Sequence, residues 1–273
     1  MKLATLVENT AAAPGYACVH GLSFYIEAAG KKLLFDLGPD ETLFTNAKKA
    51  GISVENVELA VLSHGHYDHG GALGRFLEIN RNARVYVREN AFLPYYSRSS
   101  GKEHEIGLSR ELKGHPRVVP TGENCDIAEG LRLFSGVTGR KYFSEANRFL
   151  MEKTEKGLRP DSFSHEQNLI ITEENKKFLI AGCAHNGIVN VLERFEKLEG
   201  RLPDAVISGF QLNPPSAMEP VPEALLDGIA GTLLKWPVQY YTCHCTGLGP
   251  YAGLKKRMGE RLDYLGAGSR LEL

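Results

Sequence analysis

Little in this chain of 273 residues is in excess. Lys plus Arg number 32 against 33 Asp plus Glu, so the formal net charge is −1. That balance gives no basic surplus for a nucleic-acid partner and no acidic block for a tail. Cysteine is scarce, with five residues at irregular spacing (Cys18, Cys125, Cys183, Cys243, Cys245). An odd, uneven set argues against a disulfide framework and for a reducing, cytoplasmic location. No apolar run approaches the roughly 20 residues that span a bilayer, so no membrane association is expected. Glu8 and Asn9 break the first apolar run before a secretory leader could form. No Pro-rich or Ser-rich linker divides the chain, and residues 1–273 are expected to form a single domain. A Gly-X-Ser-X-Gly elbow, a P-loop and a dinucleotide fingerprint are absent too, which removes three rival catalytic schemes.

What is present is mostly short apolar runs that read as strands. They cover Leu3–Val7, Leu22–Ile26, Lys32–Phe35, Leu59–Leu62 and Ala83–Val87, then Leu131–Phe134, Asn168–Ile171, Lys177–Ala181, Ala205–Ile207 and Val238–Thr242. Helical spacing falls between some of them. Asp40 can cap a helix over Glu41–Ala50 that stops at Gly51. Ala72-Leu73 with Phe76-Leu77, Ile188-Val189 with Leu192 and Phe195, and Ala224–Leu234 give three more. Alternating strands and helices define an α/β chain. Glu89–Pro120 and Phe143–Ser164 break the pattern and read as irregular insertions that overhang a pocket.

One segment carries chemistry. Ser63-His64-Gly65-His66-Tyr67-Asp68-His69-Gly70-Gly71 follows a buried strand and gathers three imidazoles and one carboxylate. That donor set suits zinc, iron or manganese at a catalytic centre. His64 and His66, two apart on an extended segment, point the same way. His185 in Gly182-Cys183-Ala184-His185-Asn186-Gly187 and His244 in Thr242-Cys243-His244-Cys245-Thr246-Gly247 also follow buried strands and precede glycine. The strand–loop–helix around His185 echoes the one around His66 and suggests a two-halved fold.

The His-X-His-X-Asp-His signature resembles the metallo-β-lactamase superfamily, and the order of the later motifs fits it over nearly the whole chain. Glu8-Asn9, His20-Gly21-Leu22-Ser23, Gly182-Cys183-Ala184-His185 and His244-Cys245-Thr246-Gly247 resemble the branch labelled 7,8-dihydropterin-6-methyl-4-(β-D-ribofuranosyl)aminobenzene-5′-phosphate synthase-like. The resemblance implies a four-layer αββα sandwich with metal between the edges of two sheets. It implies His64, His66 and His185 on one ion, Asp68, His69 and His244 on another, and Asp36 behind them. Zinc, one or two ions, is the implied cofactor, with iron or manganese as alternatives.

The expected activity is hydrolysis of a small ester, lactone or phosphorylated substrate by metal-activated water, with Asp68 orienting that water or taking its proton. A pterin-related condensation and an iron-dependent redox reaction are the alternatives on the same fold. His165, Glu166 and Arg98 are weaker candidates for contacting substrate. Cys183 and Cys243 read as small hydrophobes, and Cys245, beside His244, as the exception. One departure stands out. Many members of the superfamily bridge their metals with an aspartate after a strand, but here Phe210 occupies that region, in Ser208-Gly209-Phe210-Gln211.

Overall fold

The computed structural model describes residues 1–212 and 221–273. Strand residues with both faces buried explain the architecture. In Lys31–Phe35, Leu33 and Phe35 point into a core shared with Phe178 and Ile180. Leu34, between them, points the other way, against Leu43, Ala47 and Phe76 of flanking helices. Lys176–Ile180 mirrors this, with Leu179 facing Val189, Leu192 and Phe195. Period-two alternation with apolar residues on both faces therefore stacks helix, sheet, sheet and helix. The four-layer αββα sandwich is the result.

Among the described residues the first sheet runs in the order Arg270–Glu272, Lys2–Val7, Ser23–Ala28, Lys31–Phe35, Leu59–Val61, Arg84–Arg88, Val118–Thr121. The second runs Leu262–Tyr264, Gln239–Thr242, Ala205–Ser208, Lys176–Ile180, Asn168–Glu173, Leu131–Phe134, Asn124–Ala128. Four consecutive strands in each, Lys31–Phe35 to Val118–Thr121 and Lys176–Ile180 to Leu262–Tyr264, are parallel. The carboxyl ends of the inner ones meet at one edge of the sandwich, the place where α/β folds build sites.

The helix expected after Asp40 spans Thr42–Ala50, and the Asp40 carboxylate accepts from the Thr42 N–H at 2.9 Å. Helices also cover Leu73–Ile79, Ile188–Glu199, Glu223–Leu233 and Leu248–Met258. The last was not expected, because Gly249, Pro250 and Gly253 dilute its apolar spacing. No helix among the described residues is long and apolar enough to cross a membrane.

The two stretches read as irregular are not so. They pair with each other into a third sheet, ordered Gly157–Pro160, Leu150–Thr154, Tyr95–Ser97, His104–Glu105. Leu150 stands opposite Ser97 and Met151 opposite Tyr96. A three-residue strand whose partner lies some fifty residues away leaves no periodic trace in sequence.

Candidate metal centre

Five loops deliver the site. Asp36 follows Lys31–Phe35, and Ser63 to His69 follow Leu59–Val61. Cys183 to His185 follow Lys176–Ile180, Gly209 to Gln211 follow Ala205–Ser208, and His244 follows Gln239–Thr242. Several turns are sharp. Asp36, Ala184, Gln211 and His244 are non-glycine residues at φ of 61°, 48°, 47° and 48°. Left-handed backbone at such residues is uncommon and clusters where surrounding structure enforces it. Gly182 is required by closeness: a Cβ there would sit 2.2 Å from Ser63 Oγ.

Hydrogen bonds behind the rings fix which nitrogen carries each proton. Asp36 Oδ2 accepts from His69 Nδ1 at 2.7 Å and from Ser63 Oγ at 2.8 Å. Having spent its proton on Asp36, the Ser63 hydroxyl accepts from His64 Nδ1 at 2.8 Å. Asn147 Nδ2 donates to the His185 carbonyl, which turns its Oδ1 to accept from His185 Nδ1 at 2.9 Å. Asn9 Oδ1 takes the Gly21 N–H and accepts from His244 Nδ1 at 2.8 Å. All four histidines therefore carry a lone pair on Nε2.

Those lone pairs converge. His64 Nε2 and His185 Nε2 face each other at 3.3 Å. Asp68 Oδ2 lies 3.3 Å from His244 Nε2 and 3.6 Å from His69 Nε2. His244 Nε2 is buried and makes no hydrogen bond. Opposed acceptors at contact distance repel unless a cation lies among them. Bonds of about 2.0–2.1 Å around a tetrahedral ion would set neighbouring nitrogens about 3.3 Å apart. The donor set and its spacing fit a bound metal.

Electrostatics agree. Burial and the neighbouring His69, His66 and His185 rings hold the His64 pKa well below its ordinary value. Burial does the same to His185, helped by His66 and His165. Burial alone would raise Asp68, yet His69, His244 and His20 overcome it and hold this carboxyl well below its usual range. Burial would lower His244, but Asp68 beside it wins and raises it. The structure favours positive charge between Asp68 and His244.

The histidines open into a cavity of about 440 Å³. His20, His66, Asp68, Cys183, His185 and His244 form its floor, and Ser97, Ser99, Ser100, His104, Phe149 and Leu150 of the third sheet and its turns form its roof. The stretches expected as an overhanging cover supply this roof as a sheet rather than as irregular loops.

Other sequence candidates fall elsewhere. Arg98 is not on the cavity wall; its guanidinium bonds Glu103 at 2.6 and 3.1 Å and is 46% exposed. His165 and Glu166 are not on the wall either, because both are buried behind it. His165 Nδ1 accepts from the Gly65 N–H at 2.8 Å, and its Nε2 donates to Asp161 at 3.0 Å. Glu166 accepts from the His185 N–H at 2.6 Å and from Asn186. They hold the backbone of the loops that carry His64, His66 and His185. Phe210 is buried in the apolar core of the second sheet, and Gln211 lines the cavity in its stead.

Sequence reading underrated four residues. Cys183 Sγ lies 3.2 Å from His69 Nε2. Asp161 is 3.8 Å from His66 Nε2 as well as bonded to His165. His20 Nε2 is 3.3 Å from Asp68, and burial followed by His244 lowers its pKa to about 4. Asn147, invisible in sequence, clamps His185 while Phe163 stacks on the same ring at 4.5 Å. Only Cys183 and His20 carried a signal, through their neighbours Gly182 and Gly21.

An αββα sandwich with a histidine-rich cluster at the meeting edge of its two sheets defines a class of metal-dependent proteins. The family model of the metallo-beta-lactamase superfamily matches residues 16–221, and the chain belongs to that superfamily. An uncharacterized protein of Methanocaldococcus jannaschii is 32% identical over 213 residues, 76% of this chain and 78% of the relative. The 7,8-dihydropterin-6-methyl-4-(β-D-ribofuranosyl)-aminobenzene-5′-phosphate synthase of the same organism is 27% identical, covering 98% of this chain and 95% of its own. The crystal structure of a metal-dependent hydrolase of the β-lactamase superfamily superposes with a TM-score of 0.81 at 25% identity, over 100% of this chain and 99% of that one.

Proposed function

We propose that this chain is a hydrolase that uses one or two zinc ions to cleave a small ester, lactone or phosphorylated substrate. His64, His66 and His185 would hold one ion, and Asp68, His69 and His244 the other. The convergence of the His64, His69, His185 and His244 Nε2 lone pairs and the Asp68 carboxylate at one cavity, with His185, His244 and Asp68 on its wall, carries this reading. A bound divalent ion brings the pKa of water to about 7 and polarises an ester or phosphoryl oxygen. The chain's own residues do the rest. Asp36, Ser63, Asn147 and Asn9 hold the imidazoles in the required tautomers. Asp68 is ionised and on the cavity wall, so the carboxylate oxygen left free of the ion would orient the water or take its proton. The third sheet roofs the cavity on one side.

Residues 1–273 work as one domain in this reading, on a small molecule, and the five free cysteines suit the cytoplasm. A pterin-related condensation is the second reading, favoured by the synthase relative that spans 98% of the chain. Elemental analysis of protein purified without added metal, followed by assay of chromogenic phosphodiesters and lactones, decides the matter. Chelator-sensitive turnover restored by zinc supports the hydrolase. Stoichiometric metal with no hydrolysis across the panel sinks it and leaves the condensation. Iron with a visible absorption band points to redox chemistry instead.

A further inference from the structure

We infer that the Cys183 thiolate is a metal ligand shared by both halves of the centre, standing between the two ions. This rests on the metal-centre reading above. Ligand atoms of His64, Cys183 and His185 lie within 4.8 Å of one another, and so do those of His69, Cys183 and His244. Cys183 is the one residue common to these two groups. Its Sγ is 3.2 Å from His69 Nε2, somewhat inside the spacing of about 3.6 Å that metal–nitrogen and metal–sulfur bonds of about 2.1 and 2.3 Å span around a tetrahedral ion.

Packing does not account for this thiol. Cys243, fully buried, belongs to the apolar core between the sheets. Cys183 is equally sequestered yet belongs to none of the three apolar clusters. The backbone is bent to aim it. Gly182 is pressed against Ser63, and Ala184 adopts φ +48°, so residues 183 and 185 both meet the cavity floor. A left-handed non-glycine residue is strained, and such strain persists where it positions something.

Charge supplies the chemical reason. Two divalent ions bring four positive charges, and Asp68 is the single carboxylate in the two proposed ligand sets. Among the described residues just after Ala205–Ser208 there is no anion, since Phe210 faces the apolar core and Gln211 is neutral. A thiolate between the ions adds the missing negative donor, and sulfur with imidazole suits zinc. On coordination the S–H bond breaks, its electron pair passes to the ions and its proton leaves to solvent.

The test exchanges the native metal for Co²⁺ in the full chain and records cobalt content beside the near-ultraviolet spectrum. Expected is an intense thiolate-to-cobalt charge-transfer band that grows over both equivalents, disappears in Cys183→Ser and survives in Cys245→Ala. Bound cobalt without that band overturns the Cys183 assignment and leaves the metal centre standing. A protein that takes up no cobalt overturns both. Should Cys183→Ser fail to fold, X-ray absorption of the unmodified zinc protein decides. A sulfur neighbour at about 2.3 Å lost on Cys245→Ala but assigned to no other thiol would move the ligand to Cys245, and a shell of nitrogen and oxygen alone would refute it.

Discussion

Asp36 Oδ2 stands 2.7 Å from His69 Nδ1, with both side chains fully buried. The same carboxylate takes the Ser63 hydroxyl at 2.8 Å and the Ser63 N–H at 2.7 Å. One residue thus sets the proton on His69 directly and on His64 through Ser63. Asp36→Asn keeps the size, and asparagine tolerates the left-handed backbone at this position. Its amide has one acceptor: with oxygen at the Oδ2 place the NH2 opposes the Ser63 N–H, and flipped it releases both His69 Nδ1 and the Ser63 hydroxyl. Zinc affinity is expected to fall about 10- to 100-fold with the circular dichroism spectrum intact. Chelator competition measures it, and wild-type affinity in the variant would remove Asp36 from any orienting role.

Acid should loosen the metal-free protein earlier than its carboxylates alone would. Burial lowers the pKa of His20, His64, His165 and His185, while His244 beside Asp68 is raised. For the lowered four, the unfolded chain binds protons first as pH drops through about 6.5, so stability falls from there downward. His244 contributes the opposite sign, strongest below its unfolded value, and offsets part of the loss. The lowered Asp68 and Asp161 act in a more acid window, below about pH 4, with stability again falling as pH falls. Urea midpoints of the chelated protein should therefore decline between about pH 7 and pH 5. A flat or rising midpoint over that range would contradict the tautomers assigned here.

The second sheet reaches across to position the first histidines. Gln167 Nε2 donates to the Leu62 carbonyl at 2.7 Å and to that of Tyr86 at 3.1 Å, while its Oε1 accepts from Thr121 Oγ1 at 2.6 Å. Tyr86 O keeps the Leu62 N–H, but Leu62 O is left unpartnered when the amide is removed. Gln167→Ala is expected to cost about 2 kcal/mol, the scale of one or two orphaned buried groups. The urea midpoint should shift with an unchanged m-value. Leu62 lies two residues before His64, so zinc should also dissociate faster. A loss of stability with no change in metal release would confine Gln167 to the core.

These cases show what a linear sequence exposes. His64 to His69 are legible because contiguity alone brings four donors together, and His185 and His244 because each follows a buried strand. The alternation of Leu33, Leu34 and Phe35 carries the layering. Asp161, Asn147 and Cys183 are different. Asp161 matters only because it meets His165 and approaches His66, and Asn147 only because the chain returns past His185. A thiol reads as a hydrophobe until its neighbours are known. Arg98 stands off the cavity wall for a reason of the same kind, since Glu103 claims its guanidinium. The third sheet hid because its pairing is non-local and its strands are short.

Two asparagines provide a way to take the centre apart by halves. Asn147, on the roof side, holds His185 Nδ1 at 2.9 Å and its carbonyl at 2.8 Å. Asn9, on the opposite side, holds His244 Nδ1 at 2.8 Å. Neither amide touches the other's histidine, so each tunes one ion in the proposed arrangement. Asn147→Leu should weaken the ion on the His64 and His185 side by about 10- to 100-fold, and Asn9→Leu the ion on the Asp68 and His244 side by a similar factor. Stepwise titration with zinc against a chromogenic chelator resolves the two equivalents, and the double variant should lose both, because remote sites add. If both single variants depress the same equivalent, the four histidines serve one ion, and the division into two sites is wrong.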